Sequence, residues 1–168
     1  MRPPFESKFC PPADLSQRAA QQPRKLVFTN GVFDVLHRGH VTYLADARAL
    51  GAALIVALNS DASVKRLGKG EDRPINHLAD RMAVIAALEC VSLVTWFDED
   101  TPMQRILDAH PDVLVKGGDW ALDKIVGGAE VKAWGGSVHA IPFQFERSTT
   151  TTLARIRRLA SSPAPGDR

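Results

Sequence analysis

The residues best equipped for chemistry lie in one run, Thr29-Asn30-Gly31-Val32-Phe33-Asp34-Val35-Leu36-His37-Arg38-Gly39-His40. His37 and His40 stand three residues apart where a helix is expected to begin, so both imidazoles can face one side. The free N–H groups and the positive dipole end of that helix lie beside them. Such a grouping suits a polyanion. Gly31 permits a tight turn that brings backbone close to a ligand. The run matches neither G-x-x-x-x-G-K-[ST] nor G-x-G-x-x-G, which excludes the two common phosphate loops. A metal is the competing ligand for a histidine pair. No third ligand is evident and H-E-x-x-H is absent, so no metal site is assigned. Two histidines near a loop are often plain hydrogen-bonding side chains. What favours a functional pair is its place after a strand, with Gly31 and Gly39 around it. Asp34 reads as structural, a carboxylate that holds the turn by accepting backbone N–H bonds.

The elements that must position this run follow from the hydrophobic pattern. Short apolar runs at 26–28, 53–58, 91–97, 112–115 and 138–141 read as strands. Between them, 41–50, 61–67, 78–89 and a segment from Thr101-Pro102 to near Pro111 read as helices. A last helix is expected at 149–159. Ser60 and Asp61 are alternative caps for the 61–67 helix, and Gly51 stops the 41–50 helix. Alternating strands and helices at this spacing imply parallel βαβ units with right-handed crossovers. The fold class expected is therefore α/β, a single Rossmann-like doubly wound domain with a five-stranded, mainly parallel sheet. Ligands of such sheets bind beyond the carboxyl ends of the strands at the switch point, where the first strand ends. Five of the 11 prolines fall in the first 23 residues. Residues 1–24 are accordingly expected as a tail with a short helix at 15–21, residues 25–159 as the domain, and 160–168 as a second tail.

Composition narrows the classes of function. A chain of 168 residues, 45% hydrophobic and 24% charged, is ordinary for one globular domain. A chain of this length buries roughly 70% of its unfolded surface. Wholesale disorder, collagen and a disulfide scaffold are excluded. Lys and Arg total 21 against 19 acidic residues, a balance that does not by itself declare a nucleic-acid or membrane partner. The longest apolar stretches, such as 52–58, fall far short of the eighteen or so residues of a membrane span. Met1-Arg2-Pro3-Pro4-Phe5-Glu6 lacks the pattern of a signal peptide, so a cytoplasmic location is expected. Cys10 and Cys90 are too few and too separated for a staple or a zinc site. Cys90 is expected in the core.

Gly31-Val32-Phe33-Asp34 followed by His37-Arg38-Gly39-His40 resembles the signature of the cytidylyltransferase-like nucleotidyltransferases. Val115-Lys116-Gly117-Gly118-Asp119-Trp120 and Arg147-Ser148-Thr149-Thr150 are similar to two further blocks of that family, in order and spacing. Leu58 to Lys65, Arg73-Pro74-Ile75-Asn76, Asp80 to Ala83 and Phe97 to Pro102 resemble its branch that adenylylates heptose 1-phosphate. The likeness covers roughly residues 26–158. It implies transfer of AMP from ATP to D-glycero-β-D-manno-heptose 1-phosphate, giving ADP-heptose for the lipopolysaccharide core and pyrophosphate, with Mg²⁺ accompanying ATP. It also implies that His37 and His40 are the catalytic pair at the α-phosphorus. Asn30, Gly31, Val32, Phe33, Lys116, Gly118, Asp119, Ser148 and Thr149 are then expected around the nucleotide, with Lys65 and Arg81 at the acceptor's phosphate.

Plainer readings stand beside these. Ser148 and Thr149 would equally make a helix cap, Lys65 a solvated charge, Lys116 a strand end, and Asp119 a turn residue after glycine. The partners implied are ATP and the sugar phosphate, with no nucleic acid and no membrane. A homo-oligomer is expected, a dimer first. One rival keeps the fold and transfers a cytidylyl group to glycerol or ethanolamine phosphate. Another is a nucleic-acid binder using Arg155, Arg157 and Arg158, which are more simply the solvated face of the last helix and would bring steep salt dependence.

Overall fold

Ala53 to Leu58 carries no polar alternation because both faces of its strand are covered, and each of its residues is fully buried. A computed structural model gives the fold and describes residues 3–68, 70, 72–145 and 149–160. Two short 3-10 turns, Pro4–Lys8 and Pro12–Asp14, lead into α1 (Leu15–Ala20) and β1 (Leu26–Gly31). Then come α2 (Arg38–Arg48), β2 (Ala53–Asn59), α3 (Asp61–Arg66), α4 (Leu78–Ala86), β3 (Leu93–Phe97) and α5 (Met103–Ala109). β4 (Val113–Gly117), a 3-10 turn (Leu122–Lys124), α6 (Gly128–Ala133), β5 (Ser137–Ile141) and α7 (Thr149–Ala160) complete the order.

The five strands lie in the order β3-β2-β1-β4-β5, and all four pairings are parallel. The chain winds outward from β1 in one direction, then returns to its other side as β4. The switch point is therefore between β1 and β4, at Asn30, Gly31 and Lys116. Two apolar clusters fill the faces of the sheet, one around Phe28, Ile55 and Leu114, the other around Val27, Leu54 and Val115.

β1 runs three residues beyond the expected 26–28, because Thr29, Asn30 and Gly31 still pair with Val56, Ala57 and Leu58 of β2. Thr29 can be buried there since its hydroxyl shares a 2.5 Å hydrogen bond with that of Tyr43. Ser60, not Asp61, caps α3, accepting the Ser63 N–H at 3.0 Å. α6 was not expected from the sequence. It has six residues, too few to show a period, and its cap Gly127 sits at φ 81°.

The N-terminal segment corrects the expectation of a tail. Cys10, Leu15 and Ala19 are buried in the cluster that holds Phe28 and Leu93. Phe9 bridges Val94 in parallel, and the Cys10 N–H donates to the Val94 carbonyl at 2.8 Å. Arg18 ties the segment to itself through the carbonyls of Phe9 and Ser7. The prolines that suggested a tail open the two 3-10 turns, where a missing N–H costs nothing. The segment covers the otherwise open edge of β3. The closing tail, 161–168, lies outside the described residues. Among the described residues no helix is long and apolar enough to cross a membrane.

Candidate active site

β1 carries Asn30 and Gly31 to the carboxyl edge of the sheet. A Cβ on Gly31 would lie 2.8 Å from the Phe33 ring, so any larger residue would displace that ring. Phe33 takes φ 48°, a left-handed conformation that side chains seldom adopt. Its buried ring meets that of His40 edge-on at 5.4 Å. His37 then caps α2 through its carbonyl, which accepts the N–H groups of His40 at 2.9 Å and Val41 at 3.3 Å. Its ring stacks on that of His40, with centroids 3.8 Å apart and planes 22° from parallel. Gly39 makes room for this: a Cβ there would lie 3.1 Å from His37 Nδ1 and 3.2 Å from the Phe145 carbonyl oxygen. Burial, and then the neighbouring His37, lower the His40 pKa to about 4. Its Nδ1 is buried with no hydrogen-bond partner among the described residues.

A clasp of ions holds the turn from beneath. Asp34 is buried, pairs with Arg73 Nε at 2.5 Å, and accepts the N–H groups of Ile75 at 2.9 Å and Asn76 at 2.8 Å. It thus does the structural work expected of it, although the N–H groups belong to the 73–77 loop and not to its own turn. Arg81, expected at a substrate phosphate, is 1% exposed. Its guanidinium donates to the carbonyls of Val32 at 2.8 Å and Asn76 at 3.0 Å and to Asp61 at 2.6 Å. Burial alone would raise the Asp61 carboxyl, but hydrogen bonds from Arg81 and His77 outweigh it and hold it below its usual value. Lys65 is exposed in the last turn of α3 and does not line the cleft described below.

On the other side of the switch point, Lys116 Nζ donates to Asn30 Oδ1 at 3.4 Å, joining β4 to β1. Gly118 turns the chain at φ 104°, and its N–H donates to the Ile141 carbonyl at 2.8 Å. Asp119 and Trp120 follow, both exposed. Phe143, from the segment after β5, stands edge-on to His40 at 6.3 Å and to Tyr43 at 5.6 Å. Gly117 admits it, since a Cβ there would come within 2.7 Å of its ring. Arg38 lies over the Phe145 ring at 3.8 Å, and Gln144 donates to Asp46 at 3.1 Å. The 143–145 segment is thereby docked on the start of α2 and leads toward Thr149, the first residue of α7. Ser148 and the side chain of Thr149 lie outside the described residues.

A cleft of about 480 Å³ opens over the strand ends, with Asn30, Val32, Asn59, Phe97, Lys116 and Trp120 in its lining. The structure therefore gathers Asn30, Gly31, Val32 and Lys116 at one rim, and stacks His37 on His40 with Phe33 edge-on beside them. Sequence reasoning missed Asn59, Phe97 and Phe143. Asn59 ends β2 as Asn30 nearly ends β1, so the strand-end rule carries a signal for it. Phe143 leaves none, because its role depends on a loop docking on α2. Among the described residues no three His, Cys, Asp or Glu side chains are grouped to hold a metal ion.

The sequence profile described as cytidylyltransferase-like matches residues 28–162. The chain is 58% identical to a D-β-D-heptose 1-phosphate adenylyltransferase of Bordetella bronchiseptica, over 92% of this chain and 96% of that one. It is 56% identical to the bifunctional protein HldE of Yersinia enterocolitica over 83% of its own length, and spans 29% of that longer protein. A solved lipopolysaccharide core biosynthesis protein from Thermoplasma volcanium is similar at 27% identity and a TM-score of 0.58, over 73% of this chain and 98% of that one. A pantoate-β-alanine ligase from Francisella tularensis shares the fold at 13% identity and a TM-score of 0.57, over 84% and 68%.

Proposed function

This chain belongs to the cytidylyltransferase-like family of nucleotidyltransferases, and from that premise we propose that it transfers AMP from ATP to D-glycero-β-D-manno-heptose 1-phosphate. The products are ADP-heptose, for the lipopolysaccharide core, and pyrophosphate. The observation that carries the reading is the His37–His40 stack at the head of α2, in a chain alike along nearly its whole length to an adenylyltransferase for a heptose 1-phosphate.

The acceptor's phosphate oxygen attacks the α-phosphorus of ATP as the bond to the β-phosphate oxygen breaks. A phosphate monoester has a second pKa of about 6, so it arrives ionised and needs no general base. The protein's work is to hold two polyanions in line and to offset the charge that develops. His37 and His40 donate to the α-phosphate and the bridging oxygen. His40 is neutral in the free chain, and a triphosphate alongside returns the proton that burial had displaced. Each charge-assisted bond contributes about 1.5–3 kcal/mol. Val32 and Phe33 present backbone N–H groups to the triphosphate, with Asn30 and Gly31 below them and Lys116 and Gly118 on the facing rim. Ser148 and Thr149, at the start of the 12-residue α7, hold the departing pyrophosphate.

Mg²⁺ accompanying ATP would need few protein ligands, the exposed Asp119 on the β4 turn is the carboxylate that would help hold it, and the ion would supply neutralisation of phosphate charge. Arg81 acts by fixing the Val32 carbonyl, not by contacting a phosphate, and Lys65 remains the exposed cation for the acceptor. A homodimer in the cytoplasm completes the reading.

Pyrophosphate release tests it, with ATP or CTP against heptose 1-phosphate or glycerol 3-phosphate. Release from ATP plus the heptose alone is expected, reduced roughly 10²–10³-fold by His37→Ala or His40→Ala. Release from CTP plus glycerol 3-phosphate would overturn the substrates. Full activity in both variants would overturn the site.

A further inference from the structure

Arg38 opens α2, at the end of a helix where unpaired N–H groups make a cation unfavourable. A contact outside the helix answers for its position. Its guanidinium lies over the Phe145 ring, 3.8 Å from the centroid, a cation–π contact. The next residue, Gly39, lets the Phe145 backbone come close, since a Cβ there would stand 3.2 Å from the Phe145 carbonyl oxygen. Gln144 adds a hydrogen bond to Asp46 at 3.1 Å. The 143–145 segment is thus fastened along α2, from Arg38 to Asp46, by side chains that are not those of the histidine pair.

What the fastening serves is the residue at its start. Phe143 lies edge-on to His40 at 6.3 Å and to Tyr43 at 5.6 Å, and Gly117 makes room for its ring. Phe143 is 42% exposed, so burial alone holds it weakly. Yet the His40 ring it covers owes its lowered pKa first to burial and then to the stacked His37. The other titratable or charged neighbours are Arg38, Tyr43 and, further along α2, Asp46. The Tyr43 hydroxyl is bonded to that of Thr29 and stays neutral, and Asp46 is engaged by Gln144. Phe33, Phe143, Gln144 and Phe145 bring no charge. A ring kept from water and fixed in place is the state in which a donor to a phosphate oxygen contributes most.

We propose that Arg38 is a positioning residue: through Phe145 it latches the 143–145 segment to the head of α2, so that Phe143 stays as the wall that keeps water from His40. Arg38 touches no reacting atom in this role. The effect of the latch on turnover rests on the reading of the chain as an adenylyltransferase; the latch itself does not.

NMR titration of the free chain tests it, with the 5 histidines sorted by His40→Gln. Phe143→Ala, which removes the wall itself, should bring the His40 pKa from about 4 up to about 5 or above. Arg38→Ala and Phe145→Leu should each move it in the same direction, and the double variant no further than Arg38→Ala alone. Phe145→Leu keeps the Arg38 charge, so it separates a loosened wall from a lost neighbouring cation, whose removal would also raise the pKa. Urea midpoints of the two single variants should stay near that of the parent, since Arg38 is exposed and Phe145 only half-buried. In turnover both should lower kcat about two- to fivefold, again without adding.

A rise in Arg38→Ala with none in Phe145→Leu would reduce Arg38 to a nearby charge and overturn the latch. An unmoved His40 in Phe143→Ala would overturn it as well. The expected shifts in a chain that releases no pyrophosphate would keep the latch while the adenylyltransferase reading fails. Release from the parent chain, with His40 unmoved in every variant, would do the reverse.

Discussion

His40 is neutral because it is boxed in by Phe33, His37 and Phe143, and that has a cost that pH can reveal. Its folded pKa, about 4, lies below the unfolded 6.5. The unfolded chain therefore takes up a proton at pH values where the folded chain does not, and stability must fall as pH drops from 6.5 toward 4. Urea midpoints at pH 7 and pH 5 should differ in this sense, and His40→Gln should flatten the slope. An equal slope in the variant would assign the change to other groups. The same displaced proton predicts uptake on ATP binding, read by calorimetry in buffers of different ionisation enthalpy. The pair was legible in the sequence because its spacing and its glycines are local. The role of Arg81 was not: its acceptors are 20 and 49 residues away, at Asp61 and Val32. A cation on the apolar side of a helix signals burial with partners or a ligand, and sequence spacing does not distinguish the two.

At the scale of elements, the turn after β1 is held by loops rather than by its own bonds. Asp34→Ala would leave the buried Arg73 guanidinium unpaired and strip acceptors from two N–H groups, at a cost of about 3–5 kcal/mol. Urea denaturation checks the size. Adding Arg73→Met should recover part of the loss, since the unpaired charge is then gone. The N-terminal segment carries comparable weight. Leu15→Ala removes a fully buried side chain and should cost about 2–5 kcal/mol, where a residue in a tail would cost nothing measurable. β1, β2 and β4 were readable because each carries a continuous apolar run of ordinary length, while Thr95 interrupts the run in β3 and His139 that in β5. Within the first 24 residues the short helix was read, but its docking on the sheet was not, because prolines mark turns and tails alike. What decides between them is whether Cys10 and Leu15 find the β3 side of the sheet, a contact about 80 residues away in sequence.

In the whole molecule, the strand order gives the site two halves. β1 and β4 part at Asn30 and Lys116, with the histidine stack and the 143–145 segment on α2 and a cleft over the ends of β2 and β3. The order was not itself in the sequence, which showed alternation but not which strand neighbours which. It follows from right-handed crossovers once β4 returns to the far side of β1. The direct test of the two-substrate arrangement is to follow the label from ATP. With heptose 1-phosphate as acceptor, radiolabel at the α-phosphorus should appear in a sugar nucleotide, and label at the γ-phosphorus only in pyrophosphate. Label from the γ-position on the sugar, or no label moved from the α-position, would contradict the proposed adenylyl transfer.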